Sequence, residues 1–234
     1  MFTTGPTRMT AAVVLMLALT ACSSNDSGPK AEEESPEDVV AAARATLTET
    51  SGVQLTLETD DLPEDIDGIV KAVGVATDAP AFEGTLTVTL TGQAFEVPVI
   101  AVGGEVEAQI PLVPGWTPVD PQDYGAPDPA GFLTPDDGFA AILGATTGLE
   151  KGESVRGGAG NDEILTTYSG SVPGDVVDRV IPGASGDFDL TAQITDDDEL
   201  REMSLTGVFY SGSVPNTYTV GFDDYGTTKD IQLP

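Results

Sequence analysis

Histidine is absent from the 234-residue chain, cysteine occurs once, and acidic residues number 39. Without histidine, a Ser-His-Asp or Cys-His nucleophile, an imidazole general base and the common histidine-ligated metal sites are all excluded. A single cysteine also excludes an intramolecular disulfide. Carboxylates are therefore the only abundant reactive groups, and an enzymatic or metal-binding function would have to depend on them.

Two acidic runs, Asp60–Gly68 and Asp196–Glu199, are the candidates for such a function. Asp196–Glu199 lacks the glycine and the glutamate that complete an EF-hand calcium loop, so we interpret it as a solvated hairpin tip. Asp60–Gly68 is interpreted as a loop. Paired carboxylates hydrolyse glycosides in some enzymes, but Trp116 is the only tryptophan available as a sugar platform. We therefore expect no enzyme, no metal and no cofactor, and a carboxylate-dependent hydrolase remains an alternative.

The single cysteine, Cys22, follows a pattern typical of bacterial lipoproteins. Arg8 is the only charge before the apolar run Ala11–Leu19, which is much shorter than the roughly 20 residues that span a bilayer. The run leads into Leu19-Thr20-Ala21-Cys22, which resembles the lipobox Leu-x-Ala-Cys. The pattern predicts a signal peptide over residues 1–21 and lipidation of the Cys22 thiol. The alternatives are an ordinary secreted protein with an isolated cysteine, or a short buried helix.

The predicted mature chain begins with a polar tether and is strongly acidic. Residues 22–35 are expected to be the acylated cysteine and a flexible link to a domain over residues 36–234. Removing residues 1–21 leaves 8 basic and 39 acidic residues, a net charge of −31. Nucleic acids and anionic membrane surfaces are unfavourable partners for such a chain. We expect it to be held by its lipid anchor at the extracytoplasmic face of the cell membrane.

Three short helices are predicted, two from capping residues and the third from its apolar side chains. Ser35-Pro36-Glu37-Asp38 combines an N-cap serine, a proline at N1 and acids near the positive end of the helix dipole. Thr134-Pro135-Asp136-Asp137 repeats this chemistry and predicts a second helix. A third is expected over about Asp175–Val180, ended by Pro182.

Alternating apolar and polar residues predict nine or ten strands, of which Thr85–Thr91 is the clearest. Further candidates are Leu55 with Leu57, Phe95–Val99, Glu105–Ile110, Ile164–Ser169, Asp187–Ile194, Met203–Phe209, Tyr218–Phe222, and Ile231 with Leu233. Strands lie before and after the central helices, which favours an α+β fold, and their polar faces predict a sheet that is solvated on one side. Three short helices cannot tightly cover ten strands, so the sheet must close into a barrel or curl around a cavity.

The connection from Gly115 to Pro135 is rich in proline, aspartate and aromatic residues. Two interpretations remain open for it. Its apolar side chains could line a mouth or lid over an apolar cavity, or it could be a surface loop held by ordinary core aromatics. The side chains concerned are Trp116, Tyr124, Phe132 and Leu133.

Taken together and in their order, these motifs resemble the LppX/LprAFG family of actinobacterial, chiefly mycobacterial, lipoproteins, most of all its LprG-like members. The resemblance runs from about Pro36 to Pro234. It rests on the lipobox, the capped first helix, the strand Gly84–Thr91, the connection Trp116–Pro135, Tyr168-Ser169-Gly170, Phe222–Gly226 and Ile231–Pro234. The resemblance implies a strongly curved antiparallel half-barrel with helices on its concave side, enclosing a large apolar cavity.

The family resemblance also implies a function. LprG-like members carry triacylated glycolipids and triacylglycerol, LppX-like members are linked to phthiocerol dimycocerosates, and both are regarded as carriers that act with an exporter. The expected partners are therefore an acylated lipid or glycolipid, a membrane reached through the anchor and a major-facilitator exporter, with the protein itself a monomer. The acidity of this chain favours a neutral headgroup. The alternative is a structural or adhesive surface lipoprotein without a ligand.

The expected cavity-lining residues come from three strands and one helix. Leu86, Val88 and Leu90 lie on the strand that matches the cavity wall of the family. The neighbouring strands add further residues by alternation, and the second helix adds three. These residues are Phe95, Val97, Val99, Val106, Ala108 and Ile110 on the strands, and Phe139, Ile142 and Leu143 on the helix. Ordinary core packing is the alternative for each of them.

Overall fold

Eleven strands form one antiparallel sheet in the part of the chain that the computed structural model describes, residues 34–158 and 160–234. The strands are β1 Gly52–Glu58, β2 Gly68–Thr77, β3 Ala81–Leu90, β4 Gln93–Val102, β5 Glu105–Ala108, β6 Thr117–Val119, β7 Thr147–Gly157, β8 Glu163–Pro173, β9 Ser185–Thr195, β10 Leu200–Val208 and β11 Asn216–Asp223. Their order is β6-β5-β4-β3-β2-β1-β11-β10-β9-β8-β7. Since β6 and β7 are edge strands and do not pair, the sheet is open and not a closed barrel. The predicted α+β class is confirmed.

The helices lie where the sequence predicts them, with one shift. They are α1 Pro36–Glu49, α2 Phe139–Ala145 and α3 Gly174–Val180, with the short 3-10 helices η1 Pro121–Tyr124 and η2 Pro129–Gly131. Ser35 caps α1, because its hydroxyl accepts the backbone N–H of Asp38 at 3.2 Å. The prediction that Thr134–Asp137 caps α2 is wrong. These residues form a turn that precedes α2, in which the Gly138 N–H donates to the Thr134 carbonyl at 2.9 Å. The N-cap of α2 is Gly138.

The two faces of the sheet differ in chemistry as predicted. On the inner face, strand residues such as Leu55, Leu205 and Phe222 are buried under the helices. On the outer face, hydroxyl side chains pair across strands, for example Ser204 with Thr219 at 2.9 Å. Residues Glu34–Pro234 form one compact unit, so a chain that begins at Ser23 retains everything that this unit requires.

The C-terminal residues are not the strand that their alternation predicts. Ile231 and Leu233 pack with Trp116 in a small second cluster that includes Ala81 and Ile100 on the outer face of β3 and β4. The chain there has no strand assignment. Lys229 fixes this tail to the sheet through Glu83, with Nζ 3.1 Å from Oε2.

Both acidic runs are loops, as predicted. Asp196–Glu199 forms the turn between β9 and β10. In the β1–β2 loop, both carboxylate oxygens of Asp61 accept the Thr217 N–H, at 2.9 and 3.1 Å, so this acid ties the loop to β11. Among the described residues no cluster of three or more potential metal-ligating side chains occurs.

The connections β1–β2, β3–β4 and β10–β11 lie at one end of the sheet, which we call the loop end. The register shows this directly. β3 and β4 meet at Leu90 and Gln93, and Thr89 of β3 pairs with Gly68 at the start of β2. At the other end, α1 leads into β1 at Gly52.

Candidate functional site

An apolar area of the inner face, at the loop end of β2 to β5, lies partly open to solvent. We call it the open face; its members are Ile69, Leu86, Val88, Leu90, Phe95, Val97 and Ile110. They share one side of the sheet, because Leu86 pairs with Val97 and Val88 pairs with both Phe95 and Ile69. Six are half-buried, and Leu90 is 44% exposed.

The open face ends where the inner face becomes covered. Phe82 marks this border: it is fully buried, and its ring packs edge-on against Phe132, with centroids 5.9 Å apart. The ring lies over two glycines that pair across β2 and β3. A Cβ on Gly74 would lie 2.5 Å from the ring, and one on Gly84 2.6 Å. The two glycines therefore create the space that lets Phe82 lie flat on the sheet.

The helices and η2 cover the remainder of the inner face. Phe132, which follows η2, packs on Phe139 of α2 with centroids 5.1 Å apart, and Phe139 meets Phe222 of β11 at 5.6 Å. The row of rings does not extend over Leu86 or over the residues between Leu86 and the loop end, so these side chains remain partly exposed to solvent. Leu86 itself still packs against the core.

The expected cavity residues therefore fall into two groups. Leu86, Val88, Leu90, Phe95, Val97 and Ile110 belong to the open face. The other six are buried in the main core immediately beside it. They are Val99, Val106, Ala108, Phe139, Ile142 and Leu143. Nine of the twelve belong to the main core or pack against it, while Val88, Leu90 and Phe95 lie beyond it on the open face. The described residues do not outline an enclosed cavity between sheet and helices.

Sequence reasoning missed Ile69, because it missed β2. On β2 the inner side chains are small, Ala72, Gly74 and Ala76, while Val73 and Val75 face outward. The apolar pattern consequently gives no clear alternation. Gly74 of β2 pairs with Gly84 of β3, and these two glycines are the feature of the sequence that could have predicted β2.

Two tyrosines close the open face on the side of β11. The Tyr218 hydroxyl donates to the Ile69 carbonyl at 2.7 Å and lies 2.7 Å from the Tyr210 hydroxyl. Since Tyr218 has one proton, Tyr210 must donate to it. Burial raises the pKa of both hydroxyls, so both stay neutral. Their protons are committed within the protein, and the surface beside them is suited to an apolar ligand.

The segment from Gly115 to Pro135, which contains β6 and both 3-10 helices, is not a lid. Phe132 and Leu133 are buried in the main core, Trp116 packs with Ile231 in the outer cluster, and Tyr124 is exposed. These four side chains do not meet around one opening. The interpretation as a surface loop held by core aromatics is therefore the one that describes this segment.

A surface hollow of about 660 Å³ lies along β5 and β6, and Val106, one of the expected cavity residues, is part of its lining. Its lining includes Glu105, Glu107 and Asp120, together with Val119 and Leu233. This mixed, acidic lining differs from that of the apolar cavity expected from the sequence.

Two solved structures share this fold, an open antiparallel sheet with helices on one face. LprF from Mycobacterium bovis is 14% identical, with a TM-score of 0.69, and the match covers 85% of this chain and 96% of that one. The lipoprotein LppX from Mycobacterium tuberculosis is 16% identical, with a TM-score of 0.61, covering 84% and 98%. At these identities the likeness establishes the fold. No curated protein matches the chain.

The family follows from the sequence match. The LppX_LprAFG lipoprotein family matches residues 35–232. The chain therefore belongs to the LppX/LprAFG family of lipoproteins, as its motifs predict. The finer resemblance to LprG-like members is not tested by the two structures above and stays a prediction.

Proposed function

We propose that this protein binds acyl chains of lipids or glycolipids on its open face and carries them across the cell envelope. One observation supports this most strongly. Seven apolar side chains on one side of the sheet, four of which pack against the core, are left partly exposed in a chain of formal charge −30. Contiguous apolar patches on soluble domains are commonly binding sites, because exposing them to water is unfavourable.

The physical chemistry of the open face suits a hydrocarbon chain. Each CH₂ group removed from water contributes about 0.8 kcal/mol. A chain that lies along Leu86, Val88 and Val97 would therefore gain most of its affinity without polar contacts. The net negative charge of the domain favours a neutral acylglycerol or neutral glycolipid over an anionic headgroup.

The anchor is a second part of the proposal. Cys22, the predicted signal peptide and the tether up to residue 33 lie outside the described residues. Membership of a lipoprotein family supports acylation of Cys22. Among residues 34–158 and 160–234, no helix is long and apolar enough to cross a membrane. We propose that the acylated Cys22 holds a monomeric domain at the extracytoplasmic face, where a major-facilitator exporter would supply its lipid.

The anchor is tested by Cys22→Ser. This variant should lose its acyl groups and either keep its signal peptide or be released from the membrane. Metabolic labelling with a palmitate analogue, followed by fractionation, measures both effects. A variant that is processed and sediments with membranes as the wild type does would contradict the assignment.

The lipid ligand is tested by native mass spectrometry of the chain from Ser23 to Pro234, purified from its host. We expect bound acylated lipid. Val88→Asp should reduce the bound fraction at least tenfold, because it places a charge in the open face. Thr89→Asp, on the opposite side of the same strand, is the matched control and should retain the lipid.

The same experiment separates the alternatives. A structural or adhesive lipoprotein would be purified without lipid in the wild type as well. A carboxylate-dependent hydrolase would convert an added substrate and lose this activity when a loop acid is replaced. Carrier function further requires that the bound lipid exchange with vesicles while its mass remains unchanged.

A further inference from the structure

The turn after β5 places a leucine in an unfavourable backbone conformation and leaves its side chain in solvent. The Val113 N–H donates to the Ile110 carbonyl at 3.0 Å, which closes a β-turn with Pro111 second and Leu112 third. Leu112 has φ +70°, and its side chain is fully exposed. A positive φ at the third position after proline is the geometry of a type II turn, where glycine is strongly preferred.

This leucine is therefore disfavoured twice, by its backbone and by its exposure. Folding gains nothing from either feature, since the side chain has no packing partner among the described residues. Strained positions of this kind commonly occur at functional sites. An apolar side chain held away from the protein is suited to contact something apolar outside it.

The residues around Leu112 are also uncharged. Gln109–Val119 contains no charged residue, although 21% of the chain is charged. Val113, next to Leu112, is 46% exposed. The segment is continuous with the open face through Ile110, whose side chain packs against the core.

The register directs this turn toward the loop end of the sheet. Ala108 pairs with Val99, and the Gln109 N–H donates to the Pro98 carbonyl at 2.9 Å, so the chain runs toward the start of β4. The β3–β4 turn lies there with the exposed Leu90. The exposed apolar residues of the turn therefore lie toward the same end of the sheet as the open face.

We infer that Leu112 and Val113 form a tip that inserts into a lipid surface, so that the open face meets the lipids it loads or delivers. This inference rests on the proposed function and adds the place where the carrier touches the membrane. A lipid surface accepts a convex apolar tip without a matching pocket, whereas a protein partner would need one. The tip also presents no charged side chain to a protein partner.

Acidic residues at the loop end define the kind of surface. The β1–β2 loop carries Asp60, Asp61, Glu64, Asp65 and Asp67, and the Asp67 carboxylate accepts the Thr91 N–H at 2.6 Å, beside the β3–β4 turn. These acids would be repelled by anionic headgroups. The tip should therefore insert into a zwitterionic or neutral surface.

The first test measures binding of the Ser23–Pro234 chain to phosphatidylcholine vesicles by flotation. The wild type should bind, and Leu112→Asp should lower the partition coefficient at least tenfold. Leu112→Gly should lower it threefold or more while the melting temperature stays equal or rises, because glycine suits the turn. Val155→Asp, at a valine that is 47% exposed on β7, is the control and should remain within twofold of the wild type.

Charge dependence is measured on the same vesicles. Adding phosphatidylglycerol should weaken binding at low salt, and high salt should restore it. A wild type that does not float with phosphatidylcholine, or a Leu112→Asp variant that floats equally well, would overturn the inference. A concentration-dependent dimer in sedimentation without lipid, lost in Leu112→Asp, would assign the tip to a second copy instead.

A fluorescent probe separates this inference from the proposed function. The Ser23–Pro234 chain has no cysteine, so Leu112→Cys and Val155→Cys each provide a single thiol for an environment-sensitive label. The label at 112 should shift to the blue with vesicles, and the label at 155 should not. Bound lipid without a shift at 112 would refute the membrane tip and leave the carrier intact. A shift at 112 in a chain without bound lipid would support the tip and refute the carrier.

Discussion

The inner face of the sheet contains two regions of similar composition that differ in what covers them. The open face, on β2 to β5, leaves its apolar side chains half-exposed. The packed region, on β8 to β11, buries Phe188, Leu205 and Phe209 completely. Both regions come from the same alternating pattern. The difference shows that alternation determines which side of a strand is apolar, while the elements above it determine whether that side becomes a core or a surface.

Contacts between aromatic rings beneath α3 explain why the side chains of the packed region are completely buried. Phe188 meets Phe209 at a centroid distance of 4.8 Å, and Phe209 meets Tyr218 at 4.9 Å, both edge-on. Gly207 leaves room for the Phe188 ring, since a Cβ there would lie 2.6 Å from its Cε1 atom. The glycine pair Gly74 and Gly84 also makes room for a ring, that of Phe82, but this ring lies at the border of the open face. On the open face itself, the described helices do not cover the sheet.

Truncating a ring in the covered region should cost the most stability. Phe139→Ala removes a fully buried ring that contacts Phe132 and Phe222, and it should lower the free energy of unfolding by about 3–5 kcal/mol. Phe95→Ala in the open face removes a similar ring that is only half-buried, and its cost should be clearly smaller. Urea denaturation measures both. Equal losses for the two variants would contradict the distinction between covered and open regions.

A larger side chain should have opposite consequences in the two regions. Leu205→Trp overpacks the covered region and should destabilise the protein by about 1–3 kcal/mol or more. Leu86→Trp has free space at the open face, so it should cost little stability while abolishing lipid co-purification. Thermal melting of the lipid-free chain and mass spectrometry of retained lipid measure the two effects. A Leu86→Trp variant that melts much earlier, or that keeps a full load of lipid, would show that Leu86 does not line the ligand site.

Breaking an ion pair between β8 and β10 should cost much less stability than either change in the core. Arg201 Nε lies 2.9 and 3.1 Å from the two carboxylate oxygens of Glu163, and this bond lowers the pKa of Glu163 below its ordinary value of 4.5. A lowered carboxyl pKa stabilises the fold above about pH 4.5, and this contribution disappears as the pH falls through the folded-state value. Glu163→Gln should therefore cost about 1 kcal/mol at pH 7 and progressively less below pH 4.5.

Urea denaturation as a function of pH tests this prediction, with Glu150→Gln on the exposed edge strand β7 as the control. The difference between wild type and Glu163→Gln should shrink on acidification, whereas the control should stay close to the wild type. A constant difference from pH 7 to pH 3 would mean that the Glu163–Arg201 pair does not act through ionisation.

The regular strands could be predicted from the sequence because each carries one apolar face against the core. β3, β9 and β11 are examples. β7 could not, since it is an edge strand with most side chains exposed on both faces, so no pattern marks it. β6 has only three residues. The alternation of Ile231 and Leu233 is real, but it reflects packing on the outer face of the sheet without strand pairing.

The candidate site could be predicted only in part, for a related reason. Periodicity placed Leu86, Val88 and Val97 on the apolar side of their strands, and the structure has them there. It could not show that Val99 and Ala108 lie under the helices while Phe95 does not. That distinction depends on where η2 and Phe132 cross the sheet, which is a tertiary contact without a local sequence signal.

Photocrosslinking can locate the bound acyl chain on the protein. The Ser23–Pro234 chain would be loaded with a neutral acylglycerol that carries a diazirine in its acyl chain, irradiated, digested and mapped by mass spectrometry. The label should lie on peptides containing residues 86–97 and 110, and Leu86→Trp should remove it. Labelling confined to the outer face, or to the packed region on β8–β11, would contradict the assignment of the open face as the lipid-binding site.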